Sequence, residues 1–128
     1  MSVALADMRW RDVQALLDHD PIAVVPIGAF EQHGHHLPLR VDTQLSGEVA
    51  RRAVERAASN GVHVVVTPTV WTGYSPHHMD FAGTISLDAD TFMAVVTNVA
   101  RSLDQHGFQK ILLLNGHGGN MNLLRTVV

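Results

Sequence analysis

Cysteine is missing altogether from these 128 residues. Its absence removes disulfides, thiolate metal sites and a cysteine nucleophile together, and leaves the redox compartment open. Aromatic residues are scarce at 5%, and charged residues reach only 16%, with a formal net charge of −3. With no basic stripe and few aromatics, no nucleic-acid partner is expected. No apolar run approaches the ~20 residues that span a bilayer, so no membrane partner is expected either. The first ten residues carry Asp7 and Arg9 and lack the apolar centre of a secretory signal, which makes the cytoplasm the expected location.

What is present is a globular composition, 46% hydrophobic, in short apolar runs separated by turn-type residues. The length suits one domain. Histidine is unusually frequent: nine, as many as lysine and arginine together. Five of them fall in two short loops, His33, His35 and His36, then His77 and His78. A lone histidine is usually a surface or hydrogen-bonded residue. Clustered imidazoles beside carboxylates in turn-rich loops point instead to metal chemistry.

Apolar spacing predicts a helix from Trp10 to His19, closed by Pro21. The run Ile22 to Ile27 reads as a buried strand, with Pro26 marking its end or a kink. After a loop rich in glycine, proline and histidine, Asp42 or Thr43 is placed to cap a helix through Ala58. Val62 to Thr67 reads as a second strand, and Thr84 to Leu87 as a short extended piece. Asp88 heads a helix to about Gln105, and Lys110 to Leu114 is a third strand leading into the loop Asn115 to Gly119. Strands alternating with amphipathic helices imply βαβ units and a mostly parallel sheet. The loops after such strands converge on one crevice, which pools their polar residues into one candidate site. The chain stops inside an apparent helix at Met121 to Val128, so a truncated domain with an unpaired sheet edge is expected.

Glu31 and His33 stand two apart, so in an extended segment both side chains point the same way. Asp42 follows at a helix start, with two oxygens able to bridge a pair of cations, and His117 comes from the third loop. Carboxylate with imidazole and no thiolate suits Zn2+ or Mn2+. Four such residues are too few to close two coordination shells. The glycines 116, 118 and 119 also raise a phosphate cradle, but the spacing and lysine of a phosphate-binding loop are lacking.

Three ordered motifs carry a resemblance. Gly28-x-x-Glu-Gln-His-Gly34 with His36-Leu-Pro-Leu39 and Asp42, Gly73-Tyr-Ser-Pro-His-His78 with Phe81 and Gly83 to Leu87, and Asn115-Gly-His-Gly-Gly-Asn120 together resemble the creatininase family. The resemblance runs through residues 1–128 and implies the N-terminal portion of a single creatininase-like domain, three-layer α/β/α. It implies two divalent metal ions, Zn2+ ahead of Mn2+, and hydrolysis of C–N amide bonds other than ordinary peptide bonds in small, often cyclic, substrates. Carried over by position, Glu31, Asp42 and His117 hold one metal, and His33 holds the second, with Asp42 bridging. Ser75 and His78 then fall at the substrate, beside Gly118. The general acid is expected beyond Val128, and a homo-oligomer is expected of the full-length protein.

One departure matters. Gly118 and Gly119 stand where the family's founding enzyme carries an aromatic residue and then a metal-binding acid. That argues against creatinine as substrate. Two alternatives share every motif: a family peptidase of the mycofactocin type, maturing a peptide-derived cofactor, and a non-catalytic truncated fragment.

Overall fold

Short runs of valine, isoleucine and leucine, each bounded by turn residues, form three parallel strands. In the computed structural model, which describes residues 2–128, β1 (Ile22–Ile27) lies between β2 (Val64–Val66) and β3 (Lys110–Asn115). Ile22 stands opposite both Val64 and Lys110, and Ile27 opposite Asn115. Parallel neighbours need a crossover, and helices supply it. The helices are α1 (Trp10–Leu17), α2 (Val41–Ser59), α3 (Ala89–His106) and α4 (Met121–Val127).

The period of two along β1 divides the core. Ala23, Val25 and Ile27 point to one face, where Leu16, Phe92, Val96, Leu103 and Leu124 of α1, α3 and α4 cover them. Val24 points to the other face and packs with Ala50 and Val54 of α2. The result is the expected three-layer α/β/α arrangement. Among the described residues no helix is long and apolar enough to cross a membrane.

Several local expectations meet their reasons here. Asp88 caps α3, its side chain accepting from the Thr91 N–H at 2.8 Å. Pro26 sits next to last in β1, and its carbonyl accepts from Val70 N at 2.9 Å. Its missing N–H therefore faces the β2 side beyond Val66, where the ladder has already ended.

Two expectations need correction. β2 is shorter than Val62 to Thr67, because only Ile22, Ala23 and Val24 offer it partners before the chain turns away at Pro68. Neither Asp42 nor Thr43 caps α2. The cap position is Arg40, without a side-chain bond, and Asp42 and Thr43 lie inside the first turn. Both side chains are engaged elsewhere: Thr43 Oγ1, with one proton to donate, lies between the Ala29 and Trp71 carbonyls at 2.8 and 2.5 Å. Those contacts tie the loop after β1 to the loop after β2. The outer edge of β3 has no partner strand among the described residues.

Candidate metal centre

The carboxyl ends of all three strands open on one edge of the sheet, and the polar loops gather there. Asn120 holds them together. It is fully buried, its amide donating to the Gly28 carbonyl at 3.0 Å and to Asn115 Oδ1 at 3.3 Å. Its Oδ1 accepts from Tyr74 N at 2.9 Å. One side chain thus joins the ends of β1 and β3 to the loop following β2. Asn115 shapes the turn beneath it, bonding both the N–H and the carbonyl of His117.

This clamp brings the four expected metal residues together. Glu31 and His33 arrive on the loop leaving β1, Asp42 in the first turn of α2, and His117 on the loop leaving β3. Glu31, Asp42 and His117 are buried. Asp42 faces a histidine with each oxygen, Oδ1 3.1 Å from His33 Nε2 and Oδ2 3.1 Å from His117 Nδ1. Glu31 Oε1 lies 3.3 Å from the same His117 nitrogen.

The other ring nitrogens decide what those contacts mean. His33 Nδ1 lies 3.1 Å from the Glu31 carbonyl, and His117 Nε2 lies 3.0 Å from the Tyr74 carbonyl. A carbonyl only accepts, so these nitrogens carry the protons. In the neutral rings, the nitrogens facing Asp42 are then bare lone pairs aimed at a carboxylate. Acceptor facing acceptor is unfavourable unless a proton or a cation lies between. Protons alone leave Glu31 Oε2 without a partner, since this buried oxygen has none among the described residues. A divalent cation satisfies it, and the backbone carbonyls behind both histidines are the support that metal-bound imidazoles ordinarily have. The donor set fits a metal.

The proposed substrate residues are placed differently from one another. Gly118 is exposed, and a Cβ there would meet nothing within 4 Å, so it borders open space. Ser75 is fully enclosed, with its N–H donating to Ser86 Oγ at 2.8 Å and its hydroxyl 3.3 Å from His117 Nε2. In this position Ser75 supports His117. His78 Nδ1 accepts from Gln32 Nε2 at 2.9 Å, while Gln32 Oε1 accepts from Gly34 N at 2.9 Å. The proton of His78 is therefore on Nε2, which points at Glu31 Oε1 from 3.8 Å.

Sequence reasoning missed four contributors. Gln32 and Asn120 stood inside the motifs, but nothing in one sequence marks them as a tautomer lock and a loop clamp. The Tyr74 carbonyl carries no side-chain signal at all. His77 stood only among the clustered loop histidines, yet a ring nitrogen of His77 groups with ligand atoms of Glu31 and His117, all within 4.8 Å of one another. Glu31, His33 and Asp42 form a second such group.

The profile of the creatininase family, described as creatinine amidohydrolase, matches residues 6–128. The chain belongs to the creatininase family. Within that family it is 34% identical over 125 residues to the creatinine amidohydrolase of Pseudomonas putida, covering 93% of this chain and 46% of that protein. It is 38% identical over 109 residues to the mycofactocin precursor peptide peptidase of Mycolicibacterium smegmatis, covering 84% of this chain and 44% of that one. A solved mutant creatininase of Zn-Zn type matches the fold with a TM-score of 0.87 at 32% identity, over 99% of this chain and 50% of its own. The chain thus spans about half the length of the creatininase-family relatives it matches.

Proposed function

We propose that the protein is a metal-dependent hydrolase of non-peptide C–N amide bonds in a small substrate, with this chain as the N-terminal portion of one creatininase-like domain. The observation that carries the reading is the aim of two bare imidazole nitrogens, on His33 and His117, at the two oxygens of Asp42. Glu31, His33, Asp42 and His117 are the proposed ligands, with Asp42 between two cations. Carboxylate and imidazole donors accept Zn2+ first and Mn2+ second.

Held by these residues, a divalent pair would polarise the amide carbonyl and lower the pKa of water enough to supply a nucleophile near neutral pH. The chain's own residues do the rest. The Glu31 and Tyr74 carbonyls hold the two ring tautomers, so both ligand nitrogens are ready without reorganisation. His78 keeps its Nε2 proton toward Glu31 through Gln32, at 3.8 Å, too far for a hydrogen bond but favourable in charge. Ser75 braces His117 from behind, and Gly118 leaves the opening clear for substrate. A homo-oligomer of the full-length protein remains part of the proposal and rests on the resemblance alone; the cytoplasm is its proposed location.

A second reading, a peptidase acting in peptide-derived cofactor maturation, draws on the identity to the mycofactocin relative. The test uses the natural full-length protein, analysed for bound elements, then stripped with a chelator and restored. A panel of small linear and cyclic amides and short peptides is assayed for release of ammonia or amine. The expected result is bound Zn2+ or Mn2+ and turnover of small amides that disappears with the metal. Metal-free protein that still turns over substrate overturns the reading; turnover of peptides alone transfers it to the peptidase.

A further inference from the structure

We infer that His77 is an additional ligand of the cation that Glu31 and His117 hold, an inference resting on the metal reading above. A ring nitrogen of His77, a ring nitrogen of His117 and an oxygen of Glu31 lie within 4.8 Å of one another. Tetrahedral ligands with bonds near 2.1 Å stand about 3.4 Å apart, so closing the set needs a shift on the order of an ångström. His77 is free to make it. It is exposed, lies on the short 3-10 turn Pro76–His78, and has no side-chain hydrogen bond among the described residues. Its ring is already parallel to that of His117, at 3° and 6.0 Å between centroids.

The neighbouring histidine gives the contrast. Gln32 donates to His78 Nδ1, which leaves a proton on the nitrogen facing the site and no lone pair for a cation. Nothing comparable constrains His77, and both of its nitrogens are available. Two adjacent histidines therefore take different parts, His78 as a donor toward Glu31 and His77 as a ligand. With Asp42 beside His117, His77 brings the protein donors to four, and water would then enter as a fifth, a count that zinc sites also reach.

Gly119 is what allows this turn to sit so close. A Cβ on Gly119 would lie 2.6 Å from the Tyr74 carbonyl oxygen, a backbone atom that cannot yield cheaply, and would also press on His117 Nε2. With no side chain at 119, the carbonyl of Tyr74, three residues before His77 in the chain, reaches His117 Nε2 at 3.0 Å. The room left at Gly119 and the ligand offered by His77 are two parts of one local arrangement.

The test follows Co2+ binding to the full-length metal-stripped protein by visible absorption and chelator competition, since four-coordinate Co2+ absorbs far more strongly than six-coordinate. Three proteins are compared: the parent, His77→Ala and, as a control in the other histidine loop, His36→Ala. Loss of an outer-shell partner already costs roughly 10–100-fold in affinity, so loss of a direct ligand should weaken the tighter site at least about 100-fold. The same variant should lose band intensity as more than one water enters in place of the imidazole and the coordination number rises, with His36→Ala matching the parent. An unchanged affinity and spectrum in His77→Ala overturns the inference while leaving the metal reading intact. Equal weakening in both variants also overturns it. A parent protein that binds neither Co2+ nor Zn2+ overturns the metal reading itself.

Discussion

Asp42 Oδ2 stands 3.1 Å from His117 Nδ1, although His117 has its other nitrogen on the Tyr74 carbonyl and so, when neutral, offers Asp42 only a lone pair. The same relation repeats with His33 on the other Asp42 oxygen. Among the described residues, Asp42 is the side chain that stands 3.1 Å from each of these imidazoles.

That asymmetry separates two variants. Asp42→Asn should remove both metals, because a neutral amide bridges cations poorly and its N–H2 can itself donate to an imidazole. His33→Ala should remove mostly one. Elemental analysis of purified protein reads the difference directly. Two metals retained in the Asp42 variant would show that this carboxylate only organises the metal-free loops.

The close approach of Gly28 to Thr43 gives a second prediction. A Cβ on Gly28 would sit 2.5 Å from Thr43 Cα and 2.7 Å from Thr43 N, backbone against backbone. The end of β1, which leads to Glu31, would be pushed from the first turn of α2, which carries Asp42. Gly28→Ala should therefore cost about 3 kcal/mol, the upper range for forced overpacking. Denaturant unfolding should show a lower midpoint at an unchanged slope. A midpoint equal to the parent's would mean that the two segments part without cost.

Asp88 gives a pH prediction. The Thr91 backbone N–H holds its carboxyl below the ordinary 3.8, with the Thr91 hydroxyl adding to the effect. The folded value is the lowered one, so the cap's contribution is complete above 3.8 and is lost as the pH falls through the lower folded value. Asp88→Asn keeps a capping oxygen and removes the titration. Thermal melts of the two proteins, descending in pH through 3.8, should converge as the Asp88 cap is protonated. A constant difference in Tm over that range would refute the assignment.

Much of the fold was legible because its signals are local. The apolar run at Ile22 to Ile27, the β-branched run around Val65 and the Asp88 cap each act within a few residues of themselves. Strand–helix alternation then places the loops carrying Glu31, His33, Ser75, His78 and His117 at one edge, since parallel strands end on the same side. The length of β2 was not legible, because a strand ends where its partner stops offering bonds.

The amino-acid sequence by itself determined which residue types reach the site and in what order. Only the tertiary structure decided what each does there. Asp42 read both as a helix cap and as a bridging carboxylate, and the choice fell only when imidazoles on the loops leaving β1 and β3 met its two oxygens. His77 and His78 are the same residue in adjacent positions, and what separates them is Gln32, which lies 46 residues away in the chain and sets one tautomer. The tautomer of His117 is set by a backbone carbonyl 43 residues earlier, an atom that every residue possesses and that no sequence pattern can mark. A protonation state depends on the partner an atom meets in space, and that partner exists only once the chain has folded.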